Sequence, residues 1–241
     1  MPLGRPQPAK RHTAKVGHAV DLIERDFFDR PSDEVAPALL GCVLEHETGE
    51  GIVAVELTEV EAYAGETDPA SHAYRGMTGR NAVMFGPPGH AYVYFTYGMH
   101  FCVNVVCMPE GIARAVLLRA GRVVEGEPLA RLRRAGRRTE TGQPGVIAER
   151  DLARGPARLC QALSIDRTQN GADLCSAASE LRLRPADPGL PAGAARAADG
   201  APAIEAGPRV GISAAADIPW RFWLANDPTV SAYRRHKSRS R

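Results

Sequence analysis

The segments of this chain that read as β-strands lie close together, and no helices alternate regularly with them. They are rich in β-branched or aromatic residues and bounded by glycine, proline or asparagine; they are 51–60, 91–96, 101–107 and 112–120. Parallel strands need a long crossover between them, usually a helix, whereas antiparallel strands do not. The pattern therefore favours a single α+β domain with a curved, mostly antiparallel sheet and flanking helices.

Helix signals and short connections complete this layout. The predicted helices are 33–40, 129–138 and 156–163, and the predicted closing strands are 209–212 and 221–224. The first helix has Ser32 as its expected N-cap and Gly41 as its expected stop. Residues 97–100 read as the tip of a protruding β-hairpin between two neighbouring strands.

The two ends of the chain differ in charge from its body. Residues 1–18 carry a net charge of +4 and residues 233–241 a net charge of +5, so residues 19–232 carry −7. We expect one domain over 19–232, flanked by disordered basic tails. Within it, residues 185–208 are mostly alanine, proline and glycine and read as a low-complexity loop.

Several classes of protein lack support in this sequence. No run approaches the roughly 18 apolar residues of a membrane span, and the five cysteines form no CxxC pair. No glycine-rich nucleotide motif and no GxSxG motif occurs. We therefore expect a protein with reduced thiols inside the cell, no membrane association and no nucleotide cofactor.

Acidic and basic residues also lie in different parts of residues 19–232. Residues 45–68 contain eight acids and no lysine or arginine, whereas residues 119–158 contain ten arginines and five acids. This arrangement suggests a polyanion-binding surface around a carboxylate site, and basic tails suit the same partner. Solvated ends with no partner are the alternative explanation of the tails.

The densest chemical stretch is 56–80. Because side chains alternate along a strand, Glu59, Glu61 and Tyr63 face the same way near its end. A carboxylate placed there can act as a general base toward water, or the acids can belong to a solvated edge strand. A metal site is a weaker alternative, assembled from Glu59, Glu61, Asp68, His72 and His90 without any recognised ligand spacing.

A second cluster is aromatic. It contains Tyr92, Tyr94, Phe95, Tyr97 and Phe101. Such rings can form a core, or they can stack on bases and wedge into a duplex. Asn104 and Arg119 each interrupt an apolar strand and need a partner there. Together these residues are suited to modifying or excising a base held outside the duplex.

Long motifs then identify a family. VEAYAGETDPASHAYRGMTGRN, MFGPPGHAYVYFTYGMHFCVNVV, AVLLRA and GPARLCQAL occur in order, with FFDRPSDEVAPALLG before them and RVGIS and PWRFWL after them. This chain closely resembles the alkyladenine (3-methyladenine) DNA glycosylases over roughly residues 25–232. The resemblance implies hydrolytic excision of alkylated or deaminated purines from double-stranded DNA, with neither metal nor organic cofactor.

The resemblance also implies roles for the residues at the reacting bond. Glu61 corresponds to the general base that deprotonates the attacking water, and Arg119 holds water or phosphate near it. Tyr63 and Tyr94 correspond to the two rings that sandwich the flipped purine. Because no lysine lies between Lys15 and Lys237, no amine is available there for a Schiff base, and a monofunctional enzyme is expected.

Three further residues are implied to recognise the base or the duplex. His72 stacks or hydrogen-bonds at the edge of the base, Asn104 disfavours the 2-amino group of guanine, and Tyr97 intercalates where the base was removed. Met84, Cys102 and Leu117 are implied to add apolar contacts. His100 and Thr96 depart from the family pattern within the hairpin.

Three alternatives stay open at this stage. They are a catalytically silent nucleic-acid-binding module, a metal-dependent hydrolase, and an alkyl-transferring repair protein that uses a cysteine. We expect a monomer, acting in the cytoplasm or nucleoid of a bacterium or in the nucleus of a eukaryote.

Overall fold

A computed structural model describes residues 21–96, 98–135, 147–186 and 203–235. The predicted tail 1–18 and most of the predicted loop 185–208 lie outside these residues. The described part is one α+β domain built on a curved antiparallel sheet, which confirms the predicted fold class. Among the described residues, no helix has the length and hydrophobicity needed to cross a membrane.

Eight strands and three α-helices make up the described domain. The strands are β1 Val43–Thr48, β2 Gly51–Tyr63, β3 Ala91–Thr96, β4 His100–Cys107, β5 Arg114–Glu125, β6 Leu181–Arg184, β7 Ile204–Gly207 and β8 Arg221–Leu224. The helices are α1 Ser32–Ala38, α2 Glu127–Ala135 and α3 Pro156–Leu163. The sheet order is β3-β4-β5-β2-β1-β6, and β8 joins β2 and carries β7 on its outer side.

Strand β2 is the centre of the sheet. It pairs with β5 along most of its length, while on its other side it pairs first with β1 and then, from Glu59 to Glu61, with β8. The ladder with β5 shifts register on both sides of Glu59. Such bulges redirect side chains. Here they lie where Glu59 and Arg119 come into contact.

Two hydrophobic clusters form the interior. The larger contains alternate residues of the sheet, such as Val60, Val105 and Leu118, together with buried residues of α1 and α3. The smaller contains Met84, Tyr92, Val106, Ala113 and other residues beside the loop that follows β2. Because neighbouring residues of a strand point to opposite faces, Val105 of β4 packs in the larger cluster whereas Asn104 faces away from it.

Strands β3 and β4 form the predicted hairpin pairing, from Ala91 opposite Val105 to Thr96 opposite His100. The turn contains Gly98, whose φ of +65° suits glycine. Tyr97 lies outside the described residues. The protrusion of this hairpin and its insertion into DNA therefore stay predictions.

Several local predictions were wrong. Ser32 is the first residue of α1 rather than its cap, and its hydroxyl donates to the carbonyl of Tyr63. Residues 209–212 form no strand, because the edge of β8 is taken by 204–207, which the sequence placed in a loop. Helix α2 begins two residues before the predicted 129, and residues 136–138 lie outside the described part. Helix α3 and strand β8 agree with their predicted bounds.

Candidate active site

A cavity of about 310 Å³ lies against the sheet where β2, β3, β4 and β5 meet segment 210–212 and the loop that follows β2. Its volume is in the range of small-molecule sites. Five residues predicted from the resemblance line it, namely Tyr63, His72, Tyr94, Asn104 and Arg119. Met84, Cys102 and Leu117 also line it, as do the two departing residues, Thr96 and His100.

Glu61 is fully buried next to this cavity. Its Oε1 accepts a hydrogen bond from the backbone N–H of Val210 at 2.6 Å. Its Oε2 accepts from the hydroxyl of Tyr63 at 2.9 Å and lies 3.2 Å from Nη1 of Arg119. One carboxylate oxygen therefore has a single protein donor and a free lone pair. The Glu61 side chain itself has no exposed surface and lies behind the lining residues Tyr63, Arg119 and Val210.

A second buried carboxylate, Glu59, anchors Arg119. Glu59 accepts from Nε of Arg119 at 2.9 Å, from Nε of Arg221 at 2.7 Å, and from the backbone and hydroxyl of Ser231. Burial opposes its ionisation, but the two arginines and the Ser231 donors outweigh burial and lower the pKa of Glu59. The predicted common orientation of Glu59 and Glu61 is confirmed by their shared contact with Arg119.

The pair of carboxylates fixes the charge and orientation of Arg119. Its side chain is only 8% exposed. Burial alone lowers the pKa of Arg119, but Glu61 and Glu59 outweigh burial and raise it. A permanently charged guanidinium thus lies between two anionic groups at the wall of the cavity, where its remaining N–H groups can meet water or a negatively charged ligand.

Two tyrosine side chains, Tyr63 at the end of β2 and Tyr94 of β3, form part of the wall. Burial raises the pKa of Tyr63 well above its usual value, and the neighbouring Glu61 raises it further. The phenol therefore stays protonated and donates a hydrogen bond to that carboxylate. Burial likewise raises the pKa of Tyr94. Both side chains are half-buried and keep surface facing the cavity. Flat faces of this kind stack on planar ligands.

His72 completes the aromatic wall. Its ring lies 4.5 Å from the ring of Tyr94 in an edge-to-face arrangement, and its Nδ1 is 3.0 Å from the hydroxyl of Tyr92. Desolvation at the wall and the nearby Arg80 lower the pKa of His72, so this imidazole is neutral at pH 7. A neutral imidazole has one N–H donor and one acceptor nitrogen for the edge of a ligand.

Asn104 lies opposite Tyr92 across the β3–β4 ladder. Its side-chain amide donates to the Tyr92 carbonyl at 2.9 Å, which fixes the side chain at the cavity wall. The sequence prediction that Asn104 needs a partner is therefore confirmed.

The loop after β2 has an anchor that the sequence reasoning missed. The carboxylate of Asp68 accepts from Arg209 at 2.5 and 2.9 Å, and also from the backbone N–H groups of Ala64 and Ala70. The Arg209 side chain is completely buried, and its guanidinium lies 4.7 Å from the centre of the Tyr63 ring. The sequence signal was an arginine inside RVGIS, a motif otherwise used only for the resemblance.

Asn81 holds the second half of the same loop. Its side-chain amide donates to the carbonyls of His72 at 2.9 Å and Gly76 at 3.1 Å. Near the start of the loop, Gly65 has a φ of +63°, and a Cβ there would lie 1.7 Å from the carbonyl oxygen of Ala113. Backbone packing and one buried amide therefore place His72 at the cavity.

Residues considered for a metal site are engaged elsewhere. Asp68 pairs with Arg209, and Nδ1 of His90 lies 3.2 Å from Nη1 of Arg25. Across 21–96, 98–135, 147–186 and 203–235, no three His, Cys, Asp or Glu side chains are grouped so that they could hold a metal ion.

A second cavity, of about 500 Å³, adjoins the first, and both are lined by Arg119, Pro156 and Ala157. Its wall also includes Arg154, Arg158 and Arg234. Arg119, Arg154 and Arg158 of the predicted basic stretch 119–158 therefore lie beside the carboxylate site. Asp151, which also lines this cavity, lies 3.6 Å from Arg154 and 3.4 Å from Arg158.

Comparison with known proteins agrees with this site. The family model of methylpurine-DNA glycosylase matches residues 26–228. A relative from Streptomyces avermitilis, provisionally named a 3-methyladenine DNA glycosylase, is 50% identical over 221 residues, which cover 91% of this chain and 95% of the relative. Relatives with the same provisional name are 51% identical in Leifsonia xyli subsp. xyli (88% and 92% covered) and 45% identical in Burkholderia lata (87% and 91% covered). The chain therefore belongs to the methylpurine-DNA glycosylase family and is a DNA glycosylase, which confirms the prediction made from its motifs.

Proposed function

We propose that this enzyme flips damaged purines out of double-stranded DNA and hydrolyses their N-glycosidic bond, initiating base excision repair. The substrates in this proposal are 3-methyladenine, 7-methylguanine, hypoxanthine and ethenoadenine. The observation that carries it is the buried Glu61, held between Tyr63, Arg119 and Val210 at a cavity walled by aromatic rings. The resemblance and the names of the relatives point to the same chemistry.

In this mechanism Glu61 is the general base. Water donates a hydrogen bond to the carboxylate, its oxygen attacks C1′ of the sugar, and its proton passes to Glu61. The electron pair of the C1′–N bond leaves with the purine. The carboxylate also stabilises the positive charge that develops on the sugar as the bond breaks. Arg119 keeps this carboxylate oriented and contributes N–H donors for the water or a nearby phosphate.

Recognition of the base is assigned to the cavity wall. Tyr63 and Tyr94 stack on its two faces, and His72 contacts its edge. Asn104 disfavours undamaged guanine because the exocyclic 2-amino group would have to share the space of the fixed amide. 7-Methylguanine carries the same group, and its excision is attributed to its readiness to leave as a cation. Alkylation at N3 or N7 turns the purine into a cation that leaves readily, so an oriented water supplies most of what such a substrate needs.

Binding of the duplex is assigned to the hairpin and the basic surfaces. Tyr97 fills the space that the flipped base leaves, as bulky side chains on projecting turns do. The arginines of the second cavity and the basic tails neutralise phosphates. We expect the enzyme to act as a monomer and without a cofactor.

The absence of lysine from 16–236 argues for a monofunctional enzyme. Enzymes that cut the strand after excision use an amine to form a Schiff base with the sugar. With no such amine in this part of the chain, water is the nucleophile and the product is an intact strand with an abasic site.

The test is a base-release assay with duplexes that carry hypoxanthine or ethenoadenine and with methylated DNA, run with and without EDTA. We expect free purine in both conditions and strand breaks only after alkali. Incubation with borohydride is expected to trap no covalent complex. Strand scission without alkali, a trapped adduct or dependence on metal would contradict the proposal.

A further inference from the structure

Arg209 is buried behind one of the two proposed stacking rings. Its guanidinium lies between the rings of Tyr63, at 4.7 Å, and Trp220, at 5.2 Å. The Arg209 side chain has no exposed surface and is absent from the cavity wall, whereas Tyr63 forms part of that wall. The cation therefore packs over the Tyr63 ring from the protein interior, because none of its own surface reaches the cavity.

This guanidinium is held rigidly in place. Asp68 receives two of its hydrogen bonds, at 2.5 and 2.9 Å, and the carbonyl of Ala62 receives a third at 2.9 Å. Within the described residues, its buried Nε has no hydrogen-bond partner. The fork geometry of an arginine–carboxylate pair places Asp68 at the edge of the guanidinium and leaves its faces to the aromatic rings.

A cation behind an aromatic ring changes what the other face attracts. The faces of a tyrosine ring are negative, and a cation within about 6 Å of the centroid is attracted to them. A guanidinium on one face draws electron density toward itself, so a second cation on the opposite face is held less strongly. A neutral purine, which stacks through dispersion and apolar contact, loses much less.

We propose that Arg209 sets the substrate preference of this enzyme by weakening the hold of Tyr63 on positively charged bases. The inference rests on the proposed function and names the substrate class that the site favours. Purines alkylated at N3 or N7 are cations, whereas hypoxanthine and ethenoadenine are neutral at pH 7. The stack of Trp220, Arg209 and Tyr63 shifts selection among flipped bases toward the neutral lesions.

The experiment compares two lesions in one enzyme preparation. Excision of 7-methylguanine and of hypoxanthine is measured in the same duplex sequence at limiting enzyme, and the ratio of the two efficiencies is recorded. Because both rates depend equally on the fraction of folded enzyme, a loss of stability leaves the ratio unchanged. The ratio therefore separates a specificity role from a merely structural one.

Two variants change this ratio in opposite directions. The double variant Arg209→Gln, Asp68→Asn removes both charges together and is expected to raise the ratio of cationic to neutral excision about two- to fivefold, the size of a typical cation–π contribution. Asp68→Asn alone leaves the guanidinium uncompensated and is expected to lower the ratio. Unchanged ratios in both variants would overturn the role of Arg209, whereas no excision of either lesion by the wild type would overturn the proposed function itself.

Discussion

Replacement of Arg119 by methionine removes the one guanidinium that contacts both buried carboxylates among the described residues. Glu59 keeps Arg221 and the two donors of Ser231 in this variant. Glu61 keeps only the Tyr63 hydroxyl and the Val210 N–H and loses its ion pair at 3.2 Å. Arg119→Met therefore leaves one fully buried negative charge without a counter-charge.

The expected cost follows from that single uncompensated charge. Breaking a buried ion pair by removing one partner costs about 3–5 kcal/mol of unfolding free energy. For a domain of this size, each kcal/mol corresponds to about 2–4 °C in melting temperature, so a decrease of about 6–20 °C is expected. As a control, Arg158→Met removes a half-exposed arginine 3.4 Å from Asp151 and is expected to cost less than about 1 kcal/mol.

The part of the loss that comes from Glu59 is expected to depend on pH. Because the pKa of Glu59 is lowered in the folded protein, its contribution to stability is complete above the unfolded value near 4.3 and is lost as the pH falls through the lower folded value. Without Arg119 the pKa of Glu59 is lowered less, so this contribution is smaller. The difference between wild type and Arg119→Met is therefore largest near neutral pH and shrinks in acid.

Urea unfolding at pH 7 and at several pH values below the unfolded glutamate value near 4.3 measures this difference. A loss below about 1 kcal/mol at pH 7 would show that the carboxylates find other compensation. A loss of the same size at every pH would show that packing of the arginine stem, rather than its charge, is what the substitution removes. Either result would refute the electrostatic account of the site.

Three other predictions concern the loop, the hairpin and the tails. Gly65→Ala is expected to lower the free energy of unfolding by at least about 1–3 kcal/mol in chemical unfolding, because the new Cβ would lie 1.7 Å from a backbone oxygen at a φ of +63°. The control Gly79→Ala, which places a Cβ with nothing within 4 Å, is expected to be nearly neutral. Tyr97→Ser is expected to weaken duplex binding and slow single-turnover excision, and unchanged values would remove the wedge role. Deleting the two basic tails, 1–18 and 233–241, is expected to flatten the salt dependence of DNA binding, and an unaltered slope would show that these tails do not contact phosphates.

The parts of the site that the sequence could predict are those governed by short-range rules. Strand alternation places Glu59, Glu61 and Tyr63 on one side, and the structure has them there. The same alternation along β3 and β4 brings Tyr92 and Asn104 together as cross-strand partners. In each case the relevant residues are close along the chain or directly opposite in a hairpin, so the period of a strand fixes their relation.

The remainder depends on pairs that are distant in sequence. Arg209 is 141 residues from Asp68, and no local pattern indicates that these two side chains meet. Strand β1 was missed because its charged residues Glu45 and Glu47 interrupt any apolar pattern. Both carboxylates accept hydrogen bonds from Arg182 of β6, at 2.7 and 2.8 Å, and this pairing lets a charged strand lie inside the sheet. Such partners become visible only when the sheet order is known.

The most direct test of the central claim is single-turnover excision of hypoxanthine from a duplex by wild type and by Glu61→Gln, with DNA affinity measured for both. If Glu61 is the general base, the glutamine variant keeps its affinity for lesion DNA and excises it at least about a hundredfold more slowly, since removal of a general base costs about 10²–10⁴ in rate. Glutamine has nearly the same shape as glutamate, so the buried space that Glu61 fills stays filled. Excision by Glu61→Gln at a rate near that of the wild type would contradict the claim.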